Sequence, residues 1–279
     1  MTLLAIAETT DAHAYAWCDA ASQSAWPGMW AILAALLMGG AYGACIVYFG
    51  RGQQRPRVGI FALGLVAWIA ALSGPLERLA LSRLYSAYIL QQVILVMVVS
   101  PALLAGLEGW MLRPLLAWAP VRAVWSALTR PRVALLIFAV VFTVIHIPEV
   151  CNQVCHVKPY YHTVRISLFL AGLVLWWPVL SPLPEFPRLS QPLQGLYLLA
   201  LMLAMSVVGA PITLAETVLY HFYMGGPHPL GLSALHDQVL GGLLMWVVQG
   251  AILTVLASAI FVRWLSRGRA AEGVGAVQP

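Results

Sequence analysis

Charged side chains are scarce in this chain. Asp, Glu, Lys and Arg together make up 9% of its 279 residues, whereas hydrophobic residues make up 61%, and the mean hydropathy is +0.85. Soluble globular domains carry about 25% charged residues, because their surfaces face water. The composition therefore excludes an ordinary soluble domain and favours a membrane protein.

Motifs of catalysis and of nucleotide binding are also missing. The chain has no nucleophile elbow, no phosphate-binding loop and no dinucleotide-binding glycine pattern. No histidine lies deep in a hydrophobic run, which argues against haem ligation across a helix bundle. Residues 1–7 lack a basic segment and a long apolar run, so we expect no cleavable signal peptide. The sequence thus predicts a protein that is not an enzyme.

Long apolar runs are abundant instead. A membrane-spanning helix needs about 20 apolar residues, and these runs are too long for the strands of a β-barrel. Seven runs qualify, namely residues 30–49, 58–80, 84–107, 133–147, 163–180, 196–215 and 239–264. The fourth is short, so we expect it to tilt little or to include residues 125–132. The predicted fold class is an all-α polytopic membrane helix bundle with seven transmembrane helices.

The few charges are distributed unevenly between alternate loops. One set of loops carries eleven basic and three acidic residues, and the other carries four basic and seven acidic residues. Basic residues are enriched on the cytoplasmic side of a membrane, so the N-terminus is predicted outside and the C-terminus in the cytoplasm. Because the basic surplus is explained by membrane topology, nucleic acid is not an expected partner.

This topology divides the chain into three parts. Residues 1–28 are predicted to form an outer N-terminal tail, residues 29–266 the transmembrane domain, and residues 267–279 a cytoplasmic tail. Residues 109–131 are rich in Trp, Leu and Arg and are interrupted by Pro114 and Pro120. We expect them to form one or two short helices on the cytoplasmic surface.

Residues that bind soft metal ions are concentrated on the predicted outer face. All seven histidines and three of the four cysteines lie in or beside outer segments. The densest group follows the fourth run and consists of His146, Cys151, Cys155, His156 and His162. Thiolate together with imidazole suits Cu(I) or Zn(II). An outer surface is oxidising, so a disulfide between two of the cysteines is an alternative, as is a dithiol that binds copper only when reduced.

Ionisable residues and methionines near the membrane add further candidates. Arg165 lies about one turn beyond His162, and an ionisable residue at membrane depth is a functional candidate. Asp237 opens the seventh run, where it is predicted to cap that helix or to act as a ligand or proton partner. A thioether path for copper into the membrane would use Met97, Met202, Met205 and Met245. Methionine is also a common filler of helix packing, which is the competing explanation.

Several short strings give the chain a resemblance to a known family. They are residues 73–79 (SGPLERL), 84–92 (LYSAYILQQ), 146–148 (HIP), 176–180 (WWPVL), 219–220 (LY) and 237–246 (DQVLGGLLMW), together with His162. In these strings the sequence resembles the polytopic CtaG family of cytochrome c oxidase assembly factors. The resemblance implies a seven-span protein of the bacterial inner membrane that supports oxidase maturation and handles copper at its periplasmic face. The implied partners are cytochrome c oxidase subunits, a periplasmic copper chaperone and the lipid bilayer.

One motif departs from the family pattern. Family members open the third span with His-Met-x-x-His, where this chain has Tyr88, Ile89 and Gln92. If that pair is the family's metal site, the ligands that remain are Cys151, Cys155, His156, His146 and His162, with Asp237 as a helix-end partner. Two other functions stay open. One is a metal-free assembly scaffold with a structural disulfide, and the other is copper transport through the methionines, in resemblance to CopD-type permeases.

Overall fold

The computed structural model describes residues 21, 23–24, 27–152, 158–224 and 231–275, with side chains over 160–224 and 231–267 in the last two ranges. No described residue lies in a β-strand. The helices are α1 Met29–Phe49, α2 Val58–Leu72, α3 Gly74–Leu81, α4 Tyr85–Gly106, α5 Gly109–Leu116, α6 Ala119–Leu128, α7 Pro131–His146, α8 Pro148–Asn152, α9 Lys158–Leu180, α10 Gln191–Leu214 and α11, from Ala234 to Gly275. A short 3-10 turn covers His221–Met224.

These helices confirm the predicted all-α membrane bundle. Among the described residues, six helical segments are long and apolar enough to cross a membrane, and α6 with α7 makes a seventh when this bent pair is counted as one span. The surface of the bundle carries large exposed apolar side chains, among them Leu37 at 75% and Val207 at 74% exposure. Such exposure would be unfavourable in water, but lipid tails are as apolar as leucine.

The fourth span is interrupted where α6 meets α7. The two helices are bent by 74° relative to each other. Pro131 is the first residue of α7, and Arg130 before it is extended, with φ −60° and ψ 132°, because proline disfavours the helical conformation of its predecessor. A fourth span that includes residues 125–132 is therefore a broken one, with residues 131–132 in α7 and residues 125–128 in α6. With 16 residues, α7 alone extends about 24 Å.

Helix α4 is the central helix of the bundle. In their most apolar windows α4 and α9 are 72% and 67% buried, whereas α1 is 11% buried. One hydrophobic cluster joins α4 to α7, α9, α10 and α11, and a smaller one joins α4 to α1 and α2. The polar residues near the N-terminal end of α4, Gln91 and Gln92, are buried.

Two close helix contacts require glycine. A Cβ atom on Gly106 of α4 would lie 2.6 Å from the Cβ atom of Phe61 in α2. A Cβ atom on Gly242 of α11 would lie 2.9 Å from the backbone nitrogen of Thr213 in α10. Small residues allow membrane helices to approach closely in this way.

Of the two predicted tails, the structure describes mainly the C-terminal one. The predicted outer tail, residues 1–28, lies almost entirely outside the described residues. At the other end the backbone of α11 stays helical to Gly275, beyond residue 267, where the sequence predicted a tail. The predicted surface segment 109–131 contains the two short helices α5 and α6.

Candidate functional site

A buried ion pair joins three helices at the predicted outer end of the bundle. Nη2 of Arg165 in α9 lies 3.8 Å from Oε2 of Glu77 in α3 and donates to Oε1 of Gln91 in α4 at 2.7 Å. The Glu77 carboxylate also accepts from the Tyr161 hydroxyl and from Nε2 of Gln91, both at 2.6 Å. A buried ion pair is tolerated when hydrogen bonds satisfy its charges in this way. Arg165, a functional candidate from sequence, is therefore part of a structural clamp.

The carboxylate of Asp237 caps a neighbouring helix. Asp237 is fully buried, and it accepts hydrogen bonds from the backbone N–H groups of Tyr85 and Ser86 and from the Ser86 hydroxyl, at the start of α4. Its own helix is capped by Ser233, whose hydroxyl accepts from the backbone N–H of His236. A negative charge at a helix N-terminus is stabilising. The prediction that Asp237 caps the seventh run is thus wrong, and its oxygen atoms already have partners.

His146, at the end of α7, has the arrangement of a metal-binding imidazole. Its Nδ1 lies 2.6 Å from the carbonyl oxygen of Phe142. Because a carbonyl can only accept, Nδ1 carries the proton and Nε2 has a lone pair. The side chain is 3% exposed, and Nε2 has no hydrogen-bond partner among the described residues. Metal-ligating histidines commonly donate their other ring N–H to a carbonyl group in this manner.

The thiol of Cys151 lies in α8, directly after α7. Cys151 is 1% exposed, and its backbone N–H donates to the carbonyl of Ile147 at 2.8 Å. Burial raises the pKa of the thiol to about 12, against a smaller opposing effect of Arg165. The thiol is therefore protonated at neutral pH, and a metal ion that binds it has to displace the proton. Of the described cysteines, Cys45 and Cys151 are both free thiols.

An aromatic segment, residues 220–223, holds α7 and α8 in place. The Tyr220 hydroxyl donates to the carbonyl of His146 at 2.9 Å, and the backbone N–H of Phe222 donates to Oδ1 of Asn152 at 3.2 Å. The ring of Tyr220 stacks on that of Tyr85 in α4, with centroids 4.5 Å apart. These contacts connect the 3-10 turn to the segment with His146 and Cys151 and bury that segment under aromatic rings.

The other predicted ligands are only partly placed. Cys155 and His156 lie outside the described residues. The ring of His162, in the first turns of α9, packs against Trp30 of α1, with centroids 4.9 Å apart. In the described part of the chain no three His, Cys, Asp or Glu residues come together as a metal-binding group. The four predicted ligands that are described, His146, Cys151, His162 and Asp237, thus do not form one such group, although His146 and Cys151 lie in consecutive helices.

Sequence analysis singled out Tyr88 and Gln92 of α4 but did not predict that their polar atoms are buried without partners. The Tyr88 hydroxyl and both polar atoms of the Gln92 amide are buried and have no hydrogen-bond partner in the described structure. The ring of Tyr88 lies 6.3 Å from that of Tyr223 in the aromatic segment, centroid to centroid. The available signal was two polar side chains four residues apart in an apolar run, which places them on one helix face.

The methionines predicted as a copper path have separate partners. The sulfur of Met245 accepts from the Tyr85 hydroxyl at 3.9 Å, in the interior of the bundle. The sulfur of Met202 accepts from the Thr254 hydroxyl at 3.8 Å, and Met202 lines a groove on the lipid-facing side between α10 and α11. Only Met97, Met205 and Met245 belong to the buried part of the larger hydrophobic cluster, as expected of packing residues.

Comparison with protein families gives one match. The model of the cytochrome c oxidase caa3 assembly factor family (Caa3_CtaG) matches residues 22–267. The chain has no match among the curated proteins or among the solved structures. The family match covers the whole predicted transmembrane domain and confirms the resemblance seen in the sequence. The chain therefore belongs to the cytochrome c oxidase caa3 assembly factor family.

Proposed function

We propose that this protein assists maturation of its client oxidase by holding Cu(I) at the outer end of the bundle, with His146 and Cys151 as ligands. Family membership supports association with a cytochrome c oxidase. The charge distribution favours an outer end that faces the periplasm of a bacterial inner membrane. A periplasmic copper chaperone is then the expected donor of the ion.

The observation that carries this proposal is the geometry of His146. Its Nδ1–H is held by the Phe142 carbonyl, and the lone pair of Nε2 is buried without a partner. A buried polar atom without a partner destabilises the fold by about 1–3 kcal/mol. A bound metal ion would remove that cost, and imidazole is a suitable ligand for copper.

Cys151 supplies the soft ligand that favours Cu(I). Thiolate sulfur selects Cu(I) over harder ions, and the Cys151 thiol lies in the helix after His146, under the same aromatic segment. Cys155 and His156 follow four and five residues later in the chain, so they are the sequence candidates to complete the coordination. Asp237 and Glu77, whose carboxylates are occupied, hold the helices around the ion.

A metal-free scaffold is the second candidate function. It is favoured by the lack of a group of three or more ligand-type residues in the described part of the chain, and by Tyr88 and Gln92 at the positions of the family's histidine pair. A scaffold would hold an oxidase subunit through its helices during assembly. Copper binding and oxidase maturation therefore have to be measured separately.

The test is a competition titration of the purified, reduced protein against a chromogenic Cu(I) chelator. We expect the wild-type protein to bind one Cu(I), and His146→Ala and Cys151→Ser each to weaken binding by at least about 100-fold. His236→Ala is the matched control, because His236 is exposed and its ring interacts with Ser233. Cys155→Ser and His156→Ala then identify the remaining ligands.

Oxidase activity in cells lacking the native protein provides the second readout. We expect His146→Ala and Cys151→Ser to reduce activity when copper is limiting, and His236→Ala to leave it unchanged. Wild-type binding in both variants would refute the copper site. Loss of copper with normal oxidase maturation would leave the metal-free scaffold as the function.

A further inference from the structure

A groove of about 660 Å³ opens between the N-terminal ends of α7 and α10. Its walls are apolar, and the leucines on the α10 side, Leu193 and Leu196, are 50% and 62% exposed. The ring of Tyr197 contributes to the lining, and its hydroxyl donates away to the carbonyl of Leu175 at 2.8 Å. In a membrane a groove with such walls is suited to an acyl chain.

Two arginines without partners form the rim of this groove. Arg130 and Arg132 line it, both are exposed, and neither has an ion pair or a side-chain hydrogen bond within the described residues. Other arginines of the same predicted face do have carboxylate partners, in the pairs Arg57–Glu108 at 3.5 Å and Arg113–Glu185 at 3.2 Å. The charges of Arg130 and Arg132 are therefore available to an external anion.

Two helix N-termini add partial positive charge to that of Arg130 and Arg132. Helix α7 begins at Pro131 and α10 at Gln191, and neither has a side-chain cap. The residues that line the groove belong to the first two turns of both helices or, as Arg130 and Leu189, lie just before them, so the N-terminal ends of both helices border the groove. The N-terminus of a helix carries partial positive charge and attracts phosphate groups.

We infer that this groove binds one anionic phospholipid. The phosphate lies between the guanidinium groups of Arg130 and Arg132, and an acyl chain lies along Leu193 and Leu196. Guanidinium groups match the geometry of phosphate oxygens, and basic pockets between membrane helices bind anionic head groups. A lipid satisfies the charged rim and the apolar walls together, which a free anion cannot do. This inference does not depend on the proposed copper site.

The experiment is native mass spectrometry of the delipidated protein after addition of phosphatidylglycerol or phosphatidylcholine. We expect wild-type protein to retain one phosphatidylglycerol and Arg130→Gln/Arg132→Gln to bind it about 30-fold more weakly, from about 1 kcal/mol per arginine. Arg51→Gln/Arg55→Gln is the matched control, because it removes the same charge from the exposed α1–α2 loop. The control should retain the lipid as the wild-type protein does.

A second variant tests the groove without changing its charge. Leu193→Trp fills the groove and should reduce retention of phosphatidylglycerol, whereas millimolar inorganic phosphate should not displace the lipid. Thermal unfolding shows that each variant is folded, and if the arginine variant is not, Leu193→Trp carries the test. Equal retention of phosphatidylcholine, equal losses in the Arg51/Arg55 control, unchanged retention in Leu193→Trp or displacement by phosphate would each overturn the inference.

Discussion

Replacing Asp237 with Asn should loosen the start of α4, although Asp237 belongs to α11. In the structure its carboxylate accepts three hydrogen bonds, from two backbone N–H groups and one hydroxyl of Tyr85 and Ser86. An amide of the same shape keeps one acceptor oxygen and turns an NH2 group toward donors. The loss combines about 1.5–3 kcal/mol for a hydrogen bond to a charged group with up to about 2 kcal/mol for the charge at the helix end. We expect about 3 kcal/mol.

Hydrogen–deuterium exchange locates this effect along the chain. About 3 kcal/mol corresponds to roughly 100-fold faster exchange in peptides that contain Tyr85 and Ser86. Ser233→Ala is the control, since it removes the cap of α11 itself and should cost about 1 kcal/mol there. Faster exchange at residues 234–238 in Asp237→Asn, with residues 85–89 unchanged, would refute the cross-helix cap. Loss of Cu(I) binding without any change in exchange would instead restore Asp237 as a ligand.

Three further predictions concern the clamp, the thiol and a helix contact. Glu77→Gln leaves Arg165 buried without a counter-charge and should reduce the free energy of unfolding by about 3–5 kcal/mol. The double variant Glu77→Gln/Arg165→Met should lose less stability than the sum of the two single changes. Additive losses in thermal unfolding would contradict this. Because burial raises the pKa of the Cys151 thiol to about 12, Cu(I) binding to this thiol should release a proton. The affinity of the protein for Cu(I) should therefore rise about tenfold per pH unit between pH 6 and 8. An affinity that does not change with pH in the chelator competition would exclude this thiol as a ligand. Gly242→Ala should lower the unfolding temperature, because its Cβ would meet the backbone of Thr213. The control Gly195→Ala has no atom within 4 Å of its Cβ and should leave the unfolding temperature unchanged. Equal effects of the two changes would contradict the close contact.

The sequence predicted those parts of the fold that depend on local composition. Apolar runs of about 20 residues predict spanning helices, and the structure contains helices of that length in these runs. The bend before α7 was missed because one residue, Pro131, outweighed an otherwise continuous apolar pattern. The role of Asp237 was missed for another reason. Its partner Tyr85 is 152 residues away in the chain, and the local signal at the start of a helix cannot reveal which helix a carboxylate caps.

The candidate site, too, could be predicted from the sequence only in its local composition. The enrichment of His and Cys in the predicted outer segments could be seen in the sequence. The position of the lone pair on Nε2 of His146, however, depends on the hydrogen bond from Nδ1 to the Phe142 carbonyl, which only the folded helix defines. Tyr88 and Gln92, at the positions where the resemblance implies two histidines, add further buried polar atoms without partners among the described residues.

Those two replacements did not make the interior of α4 apolar. Leucine at both positions would have removed the cost of burying a hydroxyl and an amide without partners, about 1–3 kcal/mol for each group. Instead the Tyr88 hydroxyl and the Gln92 amide stay buried and unpaired, as does Nε2 of His146. Several such groups near one end of the central helix are consistent with the proposal of a polar or ionic ligand there. The proposed ligand set in α7 and α8 would account for the buried lone pair of His146, which a bundle that had simply lost its metal would leave unexplained.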